Sequence, residues 1–356
     1  MRSRLLILVL GLTPLFLMQG CAEQHMTLRL IDASPGVERF WPEPPEKPRY
    51  RYIGQLTGEE NFTPENEKPR STAMSIFEWL VGLVGGDAER VVLQRPQNGT
   101  TDAEGRIYVT DASRRAVFVF DKPGGVLRIW DMASKNSRFE APAGIALGNA
   151  GEILVSDAEL HAVFRLDREG NPSGEFGKNV LKRPTGLVRD AQSGLIYVAD
   201  TYTHDIKVFD DSGRLIKQIG HRGEANGEFN YPTYLAFEGN QLYVTDTMNS
   251  RIQIFDAESN WLSKFGQRGL YVGNLVRPKG VAVDREGNIY MTESLYDRLL
   301  VFNSRGQPLL ALGGTGKGAG EFYLPAGVWV DNQDHIYVAD MFNGRVVVLQ
   351  FLGGSL

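Results

Sequence analysis

Cysteine is almost missing from this chain, which contains only Cys21. One thiol cannot form an intramolecular disulfide, and it cannot supply a metal cluster that needs several thiolates. Histidine is scarce too, and no three of its five residues can be assigned to one zinc site from the sequence. The composition therefore predicts neither a metal centre nor another cofactor.

The chain also lacks an excess of basic residues. Lys and Arg number 38 against 43 Asp and Glu, which gives a formal net charge of -5. Proteins that bind nucleic acid usually carry a basic excess, because contacts with phosphate supply most of their affinity. We therefore expect no nucleic-acid partner.

The apolar run near the N-terminus is too short to span a membrane comfortably. Residues 5–18 are almost all apolar, whereas a spanning helix needs about 20 residues. Two basic residues, Arg2 and Arg4, precede this run. The basic residues and the apolar run together predict an export signal over residues 1–20.

Residues 17–21, Leu-Met-Gln-Gly-Cys, resemble a bacterial lipobox. The resemblance implies that Cys21 carries a lipid, becomes the mature N-terminus and anchors an exported protein to a membrane. No Asp follows the cysteine, and similarity to lipoprotein sorting rules favours the outer membrane in a host with two membranes. The alternative is an ordinary secretory signal with an incidental cysteine.

A repeated unit occupies most of the remaining chain. Six short β-patterned runs recur every 43–47 residues, and each ends in an acid: Asp111, Asp157, Asp200, Asp246, Glu293 and Asp340. A proline precedes each run by ten to twelve residues, and glycine usually stands two residues after that proline; Asn98 and Tyr234 are the exceptions. Four short strands per repeat are typical of a propeller blade, so six repeats over residues 93–356 predict an all-β, six-bladed β-propeller.

The repeats resemble the NHL-repeat family of six-bladed, TolB-like propellers. Residues 278–290 and 245–252 are similar to the family's consensus, as are the linking loops 223–229 and 316–322. The resemblance covers about residues 93–351 and implies the fold. It does not imply an activity, because this architecture supports binding proteins and enzymes alike.

The segment before the repeats supplies a strand that the last repeat lacks. Residues 49–56 form an alternating β run without a partner of its own, so we expect it to complete the last blade and close a domain spanning 49–356. Residues 21–48 are predicted to be a proline-rich tether. The insert 57–92 contains a predicted helix over 72–84, which either covers the propeller or docks on a membrane or partner.

Carboxylates are the most frequent candidates for chemistry, but their repetition favours a structural role. One active site does not need six copies of an acid, and Asp readily accepts hydrogen bonds from backbone amides in turns. Three acids depart from the repeat: Glu159, Asp205 and Asp297. Similarity to propeller lactonases implies an alternative function, in which such acids bind a divalent cation for a hydrolase, lactonase or lyase.

Aromatic, apolar and basic residues are placed where propeller loops share one face. Such residues are enriched in binding surfaces, although packing between blades is an equal alternative. The candidates follow the acids or flank the prolines: Tyr202, Met248, Leu295, Phe342, Arg95, Arg183, Tyr231, Tyr234 and Arg277. Trp329, by contrast, replaces a small residue of other repeats and is expected in the core between blades.

These patterns favour binding over catalysis. We expect an exported, lipid-anchored propeller at the cell envelope that binds a protein, or another extracytoplasmic ligand, through its loop face. A cation-dependent propeller enzyme remains the alternative.

Overall fold

Short antiparallel strands account for nearly all of the regular structure. The structure is a computed structural model, and it describes residues 26–65, 91–271 and 273–353. The predicted signal peptide, Cys21 and the predicted helix over 72–84 lie outside the described residues. Four single-turn 3₁₀ helices are described, Glu59–Asn61, Asn149–Gly151, Thr247–Asn249 and Met341–Asn343.

Twenty-nine strands are described, and we number them in chain order. Their bounds are β1 Met26–Leu28, β2 Phe40–Trp41, β3 Tyr50–Leu56, β4 Phe62–Pro64, β5 Pro96–Thr101, β6 Ile107–Asp111, β7 Ala116–Asp121, β8 Val126–Trp130, β9 Met132–Ser134, β10 Ser137–Arg138, β11 Pro142–Leu147, β12 Ile153–Asp157, β13 Ala162–Leu166, β14 Pro172–Phe176, β15 Pro184–Arg189, β16 Ile196–Asp200, β17 Asp205–Phe209, β18 Leu215–Ile219, β19 Pro232–Glu238, β20 Gln241–Asp246, β21 Arg251–Asp256, β22 Trp261–Phe265, β23 Pro278–Val283, β24 Ile289–Glu293, β25 Arg298–Phe302, β26 Pro308–Gly313, β27 Val328–Val330, β28 His335–Asp340 and β29 Arg345–Phe351.

The strands form a six-bladed β-propeller, as the repeats predicted. Blades 1 to 5 are the four-stranded sheets that begin with β5, β11, β15, β19 and β23, and blade 6 begins with β27. The six first strands contact one another in sequence, and β27 returns to contact β5. They therefore surround a central channel.

The middle strands of the blades are buried on both faces. Every residue of β6, β12, β16 and β24 is buried, because each sheet packs against a neighbouring blade on either side. The outermost strands are different: β18 has three exposed residues out of five. The apolar core thus lies between blades and needs both neighbours to be complete.

The ring closes through the strand upstream of the repeats. Strand β3 pairs antiparallel with β29, from Tyr50 opposite Phe351 to Leu56 opposite Val346. This places residues 50–56 beside the last strand of blade 6, which is where the sequence predicted them. The short strand β2 then pairs with β3, so the sheet has five strands rather than four.

The interpretation of residues 21–48 as a tether is wrong for the part that is described. Strand β1 pairs with β4, Ile31 bridges to Gln55, and the backbone amide of Ala33 donates a 3.0 Å hydrogen bond to the Tyr52 hydroxyl. Trp41 packs against the core shared by blades 5 and 6. Apolar side chains interrupt the proline-rich sequence and hold it on the propeller.

Candidate binding face

Antiparallel pairing brings the repeated acids and prolines to one end of the ring. Pro142 lies opposite Asp157, and the same register recurs in blades 1, 3, 4 and 5. The loops that follow the acids and those that precede the prolines therefore meet on one surface, which we call the acid–proline face.

The repeated acids hold these loops in place. Each is buried, and each accepts backbone N–H groups of the loop before the proline. Asp157, for example, binds the amides of Glu140 and Ala141 at 2.8–3.1 Å, and it also binds those of Glu159 and Leu160 in the loop that follows it, at 3.0 Å. Equivalent bonds to the loop before the proline are made by Asp111, Asp200, Asp246, Glu293 and Asp340. These contacts support a structural role for the acids and a rigid backbone beneath the face.

Blades 4 and 6 add an arginine to this arrangement. Arg345 donates from Nε to Asp340 at 2.8 Å, and its other nitrogens bind the carbonyls of Lys317, Gly318 and Glu321. Arg251 makes the same set of contacts in blade 4. Burial raises the pKa of Asp340, although the hydrogen bonds from the backbone and from Arg345 oppose this shift.

An arc of large exposed side chains lies on the face, two residues after the acids of blades 3 to 6. In blades 3 to 6 this position is Tyr202, Met248, Leu295 and Phe342, and these residues are 58%, 62%, 46% and 48% exposed. Blades 1 and 2 carry the polar residues Ser113 and Glu159 there. The arc therefore comprises one large exposed side chain in each of four neighbouring blades.

Basic and aromatic residues flank the arc. The guanidinium of Arg183 lies 5.1 Å from the ring centre of Tyr202, and that of Arg95 lies 5.2 Å from Phe342. The ring of Tyr231 meets Tyr202 edge-on at 6.5 Å. Arg277 is also exposed, while its backbone amide binds Glu293.

One exposed aromatic residue of the face was missed by the sequence analysis. Tyr323 contacts Phe342 with ring centres 5.6 Å apart, and it is exposed. It lies in the loop before Pro325, as Tyr231 lies before Pro232. The rule that selected Tyr231 takes the residue directly before the proline, which here is Leu324, so it missed Tyr323 by one position.

Tyr234 is not a loop residue but projects into the central channel. It occupies the inner-strand position that is glycine in four other blades, and its hydroxyl donates a 3.2 Å hydrogen bond to the carbonyl oxygen of Gln97 in blade 1. The side chain therefore reaches from blade 4 to the blade opposite. Burial raises the pKa of this phenol.

A cavity of about 260 Å³ opens above Tyr234 at the centre of the acid–proline face. Its lining includes Gln97, Thr185 and Thr233, and its charged residues are Arg183 and Lys279. A second cavity of about 480 Å³, lined by the far ends of the inner strands, occupies the opposite mouth. Tyr234 lines the first cavity and is not among the residues that line the second.

The three acids proposed as cation ligands are held apart by other partners. Glu159 forms an ion pair with Arg183 at 2.7 Å, Asp205 pairs with Lys207, and Asp297 accepts hydrogen bonds from Thr315 and Leu324. Asp205 and Asp297 are buried, whereas Glu159 is exposed. Among the described residues, no three His, Cys, Asp or Glu side chains converge on a common point.

Trp329 lies in the core, as expected. It is buried and stacks on Tyr337 with ring centres 5.3 Å apart, and its indole N–H donates to Thr101 of blade 1.

No helix in the described part of the chain is long and apolar enough to cross a membrane.

Comparisons with known proteins agree with the fold. The model of the DUF5128 family, described as a 6-bladed beta-propeller, matches residues 178–265 and 274–356. "Protein brain tumor" of Drosophila melanogaster is 31% identical over 128 residues, which are 35% of this chain and 12% of that protein. The chain thus spans only about an eighth of the curated relatives that it matches.

Solved structures resemble the propeller at low sequence identity. Virginiamycin B lyase from Staphylococcus aureus aligns with a TM-score of 0.54 and 13% identity, covering 73% of this chain and 96% of that one. A chain of the nidogen/laminin complex aligns with a TM-score of 0.54 and 15% identity, covering 88% and 98%. At such identities the likeness establishes the fold and no activity.

Proposed function

We propose that this protein is a binding or scaffolding module of the cell envelope and that its acid–proline face docks a partner protein or another extracytoplasmic ligand. The arc formed by Tyr202, Met248, Leu295 and Phe342 carries the proposal. Exposed apolar residues scattered singly are ordinary, but large exposed side chains at the equivalent position of four neighbouring blades favour an interaction surface.

The chemistry of the arc favours a protein partner. Tyr and Arg dominate the energetic centres of protein interfaces, and Met adapts to irregular surfaces. Arg183 and Arg95 already lie beside aromatic rings of the arc, so a partner can bury ring and guanidinium together. A chain of the nidogen/laminin complex shares this fold, which supports protein binding as a use of it.

Rigidity of the backbone also supports the proposal. The loops before the prolines are bound by buried carboxylates such as Asp200 and Asp246. Within the arc, the backbone amide of Leu295 donates to Glu293 at 3.1 Å. A surface held in one conformation loses little conformational entropy when a partner binds. The arc is therefore prepared for docking before the partner arrives.

Affinity capture from cell-envelope fractions tests the docking proposal. The full chain is compared with Tyr202→Ala/Met248→Ala and with the control Leu215→Ala/Ile216→Ala, whose residues are similarly exposed on the outer strand of blade 3. A partner should be retained by the wild type and the control but lost from the face variant. Equal retention by all three chains would exclude the arc as the docking site.

The proposed location depends on Cys21, through which a lipid would anchor the exported chain, with the outer membrane favoured in a host that has two. Cys21→Ser should move the protein from the membrane pellet to the soluble fraction. If the variant still sediments after a high-salt wash, the anchor lies elsewhere, and residues 72–84 are the next segment to examine.

The rival function is a cation-dependent hydrolase, lactonase or lyase. The pairing of Glu159 with Arg183 and of Asp205 with Lys207 does not favour it, because both acids are already neutralised. Hydrolysis of simple lactones that depends on added Ca²⁺ and is abolished by a chelator would nevertheless establish the rival.

A further inference from the structure

We propose that the cavity at the centre of the acid–proline face is a binding site for a carboxylate, with the ammonium group of Lys279 as its counter-ion. The site is distinct from the surrounding arc. It can be measured with a small molecule and does not depend on the proposed docking of a partner.

Lys279 is a cation without a counter-ion inside the ring. It follows Pro278 on the inner strand β23 and lines the cavity. In the described ranges, its ammonium group has neither a hydrogen-bond acceptor nor an ion-pair partner. Lys279 is half-buried, and an ammonium group that is partly withdrawn from water and left unpaired is unfavourable; an anion beside it reduces that penalty.

The other lining groups leave this charge uncompensated. The lining contains no carboxylate, and its second charged residue, Arg183, is itself positive and already paired with Glu159. Burial lowers the pKa of Lys279, and repulsion from Arg277 lowers it further. The centre of the face is thus positive in a chain whose net charge is -5.

The hydroxyl groups that line the cavity beside Lys279 already donate to, or lie close to, backbone carbonyl oxygens. Thr201 donates to the carbonyl of Pro232 at 2.8 Å, and the Tyr234 hydroxyl donates to Gln97. Thr185 lies within hydrogen-bond distance of the carbonyl of Thr233, at 2.9 Å. Lys279 is the charged lining residue without an ion-pair partner, so the site offers one uncompensated positive charge to its ligand.

The single positive charge and the small volume of the cavity favour a small ligand with one negative charge. A carboxylate carries one negative charge, whereas phosphate near neutral pH carries more than one and would remain partly unpaired. The cavity, at about 260 Å³, accommodates a small acid or the last residue of a peptide. Because it opens onto the acid–proline face, either source can reach it from outside.

Calorimetric titration of the full chain tests the site, with sodium propionate as the probe and sodium chloride keeping the ionic strength constant. We expect saturable binding of propionate, weakened at least tenfold in Lys279→Met and unchanged in Lys264→Met, which removes an exposed lysine. Absence of saturable binding to the wild type, or equal affinity in Lys279→Met, would overturn the proposal.

Two further arms identify the source of the carboxylate. N-acetyl-dialanine is compared with its C-terminal amide: binding of the acid more tightly than propionate, with loss in the amide, would assign the site to a chain terminus. Equal affinity for propionate and the peptide acid would assign it to free acids. Tighter binding of inorganic phosphate than of either would overturn the assignment to carboxylate.

A protection experiment does not depend on any variant. The wild-type chain is treated with an amine-acetylating reagent, with and without propionate, and the modified lysines are identified by mass spectrometry. Propionate should slow modification of Lys279 several-fold and leave Lys264 unaffected. An equal rate at Lys279 with and without propionate would contradict the site.

Discussion

The indole ring of Trp329 in blade 6 occupies the space that a side chain at position 99 of blade 1 would need. A Cβ atom built on Gly99 would lie 2.4 Å from both Cη2 and Cζ2 of the indole. In the other blades, the position of Gly99 is Ile, Leu or Val, and that of Trp329 is Ala or Val except in blade 1, where it is Thr100. The large side chain of Trp329 in blade 6 thus fills the space left by the missing side chain at Gly99 in blade 1, at the interface where the ring closes.

This exchange predicts that the two positions are energetically coupled. Gly99→Ala should lower the free energy of unfolding by about 1–3 kcal/mol, because the added methyl group overpacks a closed core. Trp329→Ala should cost about 3–5 kcal/mol through the cavity that it leaves. Gly99→Val combined with Trp329→Ala should lose less stability than Gly99→Val and Trp329→Ala lose separately and added together, since the valine refills part of that cavity.

Denaturant unfolding measures these differences. Gly314→Ala is the matched control, because nothing lies within 4 Å of the Cβ that it adds, and it should change stability by less than about 0.5 kcal/mol. Gly99→Ala as stable as Gly314→Ala would contradict the overpacking, and an additive effect of Gly99→Val and Trp329→Ala would contradict the coupling.

The second prediction concerns closure of the ring. A chain that begins at Gly58 loses β3 and exposes the edge of β29, whose residues 346–349 are apolar and buried in the closed ring. Unpaired apolar edges aggregate. This chain should therefore aggregate or melt at a clearly lower temperature than one beginning at Ala22.

A chain that begins at Lys47 separates the two parts of the N-terminal segment. It retains β3 but loses β1, β2 and the packing of Trp41 against the core of blades 5 and 6. We expect a thermal midpoint between those of the other two chains. Equal midpoints for the chains beginning at Gly58 and Ala22 would exclude a closing role for β3.

The repeats made the fold predictable, because each unit specifies the same four strands and a shared core. The missing strand of the last repeat was equally informative, since residues 49–56 had no other partner. The N-terminal segment was not predictable in this way. Its proline-rich composition indicated a spacer, and the contacts of Trp41 and Ile31 depend on residues that are close only in the folded ring.

The sequence predicted which loops form the candidate face, but it did not predict the direction or the partners of each side chain. Position in the repeat placed Tyr202 and Met248 on one face, and both are exposed. The direction of Tyr234 depends on the channel, which gives space to a side chain where other blades have glycine. Lys279 was missed because nothing in the local sequence indicates that its ammonium group lacks a partner.

The third prediction concerns the exposed arc. Tyr202→Ala/Met248→Ala should leave the thermal midpoint within a few degrees of the wild type, because both side chains are more than half exposed and fill no core. Calorimetry of both chains measures this. A fall equivalent to about 2–5 kcal/mol would show that the two residues pack between blades.

The fourth prediction concerns the arginine of blade 6. Arg345→Met should lower the free energy of unfolding by about 3–5 kcal/mol, because it leaves the buried carboxylate of Asp340 without its cation. Arg345→Met/Asp340→Asn should recover part of that loss, and the exposed control Arg305→Met should be nearly neutral. Denaturant unfolding checks the series, and a double variant no more stable than Arg345→Met would contradict the explanation.

The last prediction follows from the charge of Lys279 inside the ring. Its pKa in the folded state is lowered by burial and by Arg277. Between that lowered pKa and the ordinary value of 10.5, the unfolded chain binds a proton that the folded chain has released. Stability therefore rises with pH across this window, and below it the charged lysine destabilises the fold.

Lys279→Met should accordingly be more stable than the wild type at pH 7, and its advantage should shrink as the pH approaches 10.5. Arg183, Arg277 and Tyr234 surround the same cavity in both chains, so their contributions largely cancel in the difference. Propionate should stabilise the wild type and not Lys279→Met, because a ligand raises stability only where it binds the folded state. Denaturant unfolding from pH 7 to 10.5 gives both results. If Lys279→Met is less stable than the wild type at pH 7, while Lys264→Met is unchanged, the ammonium group has a partner within the fold and is not held ready for an anion.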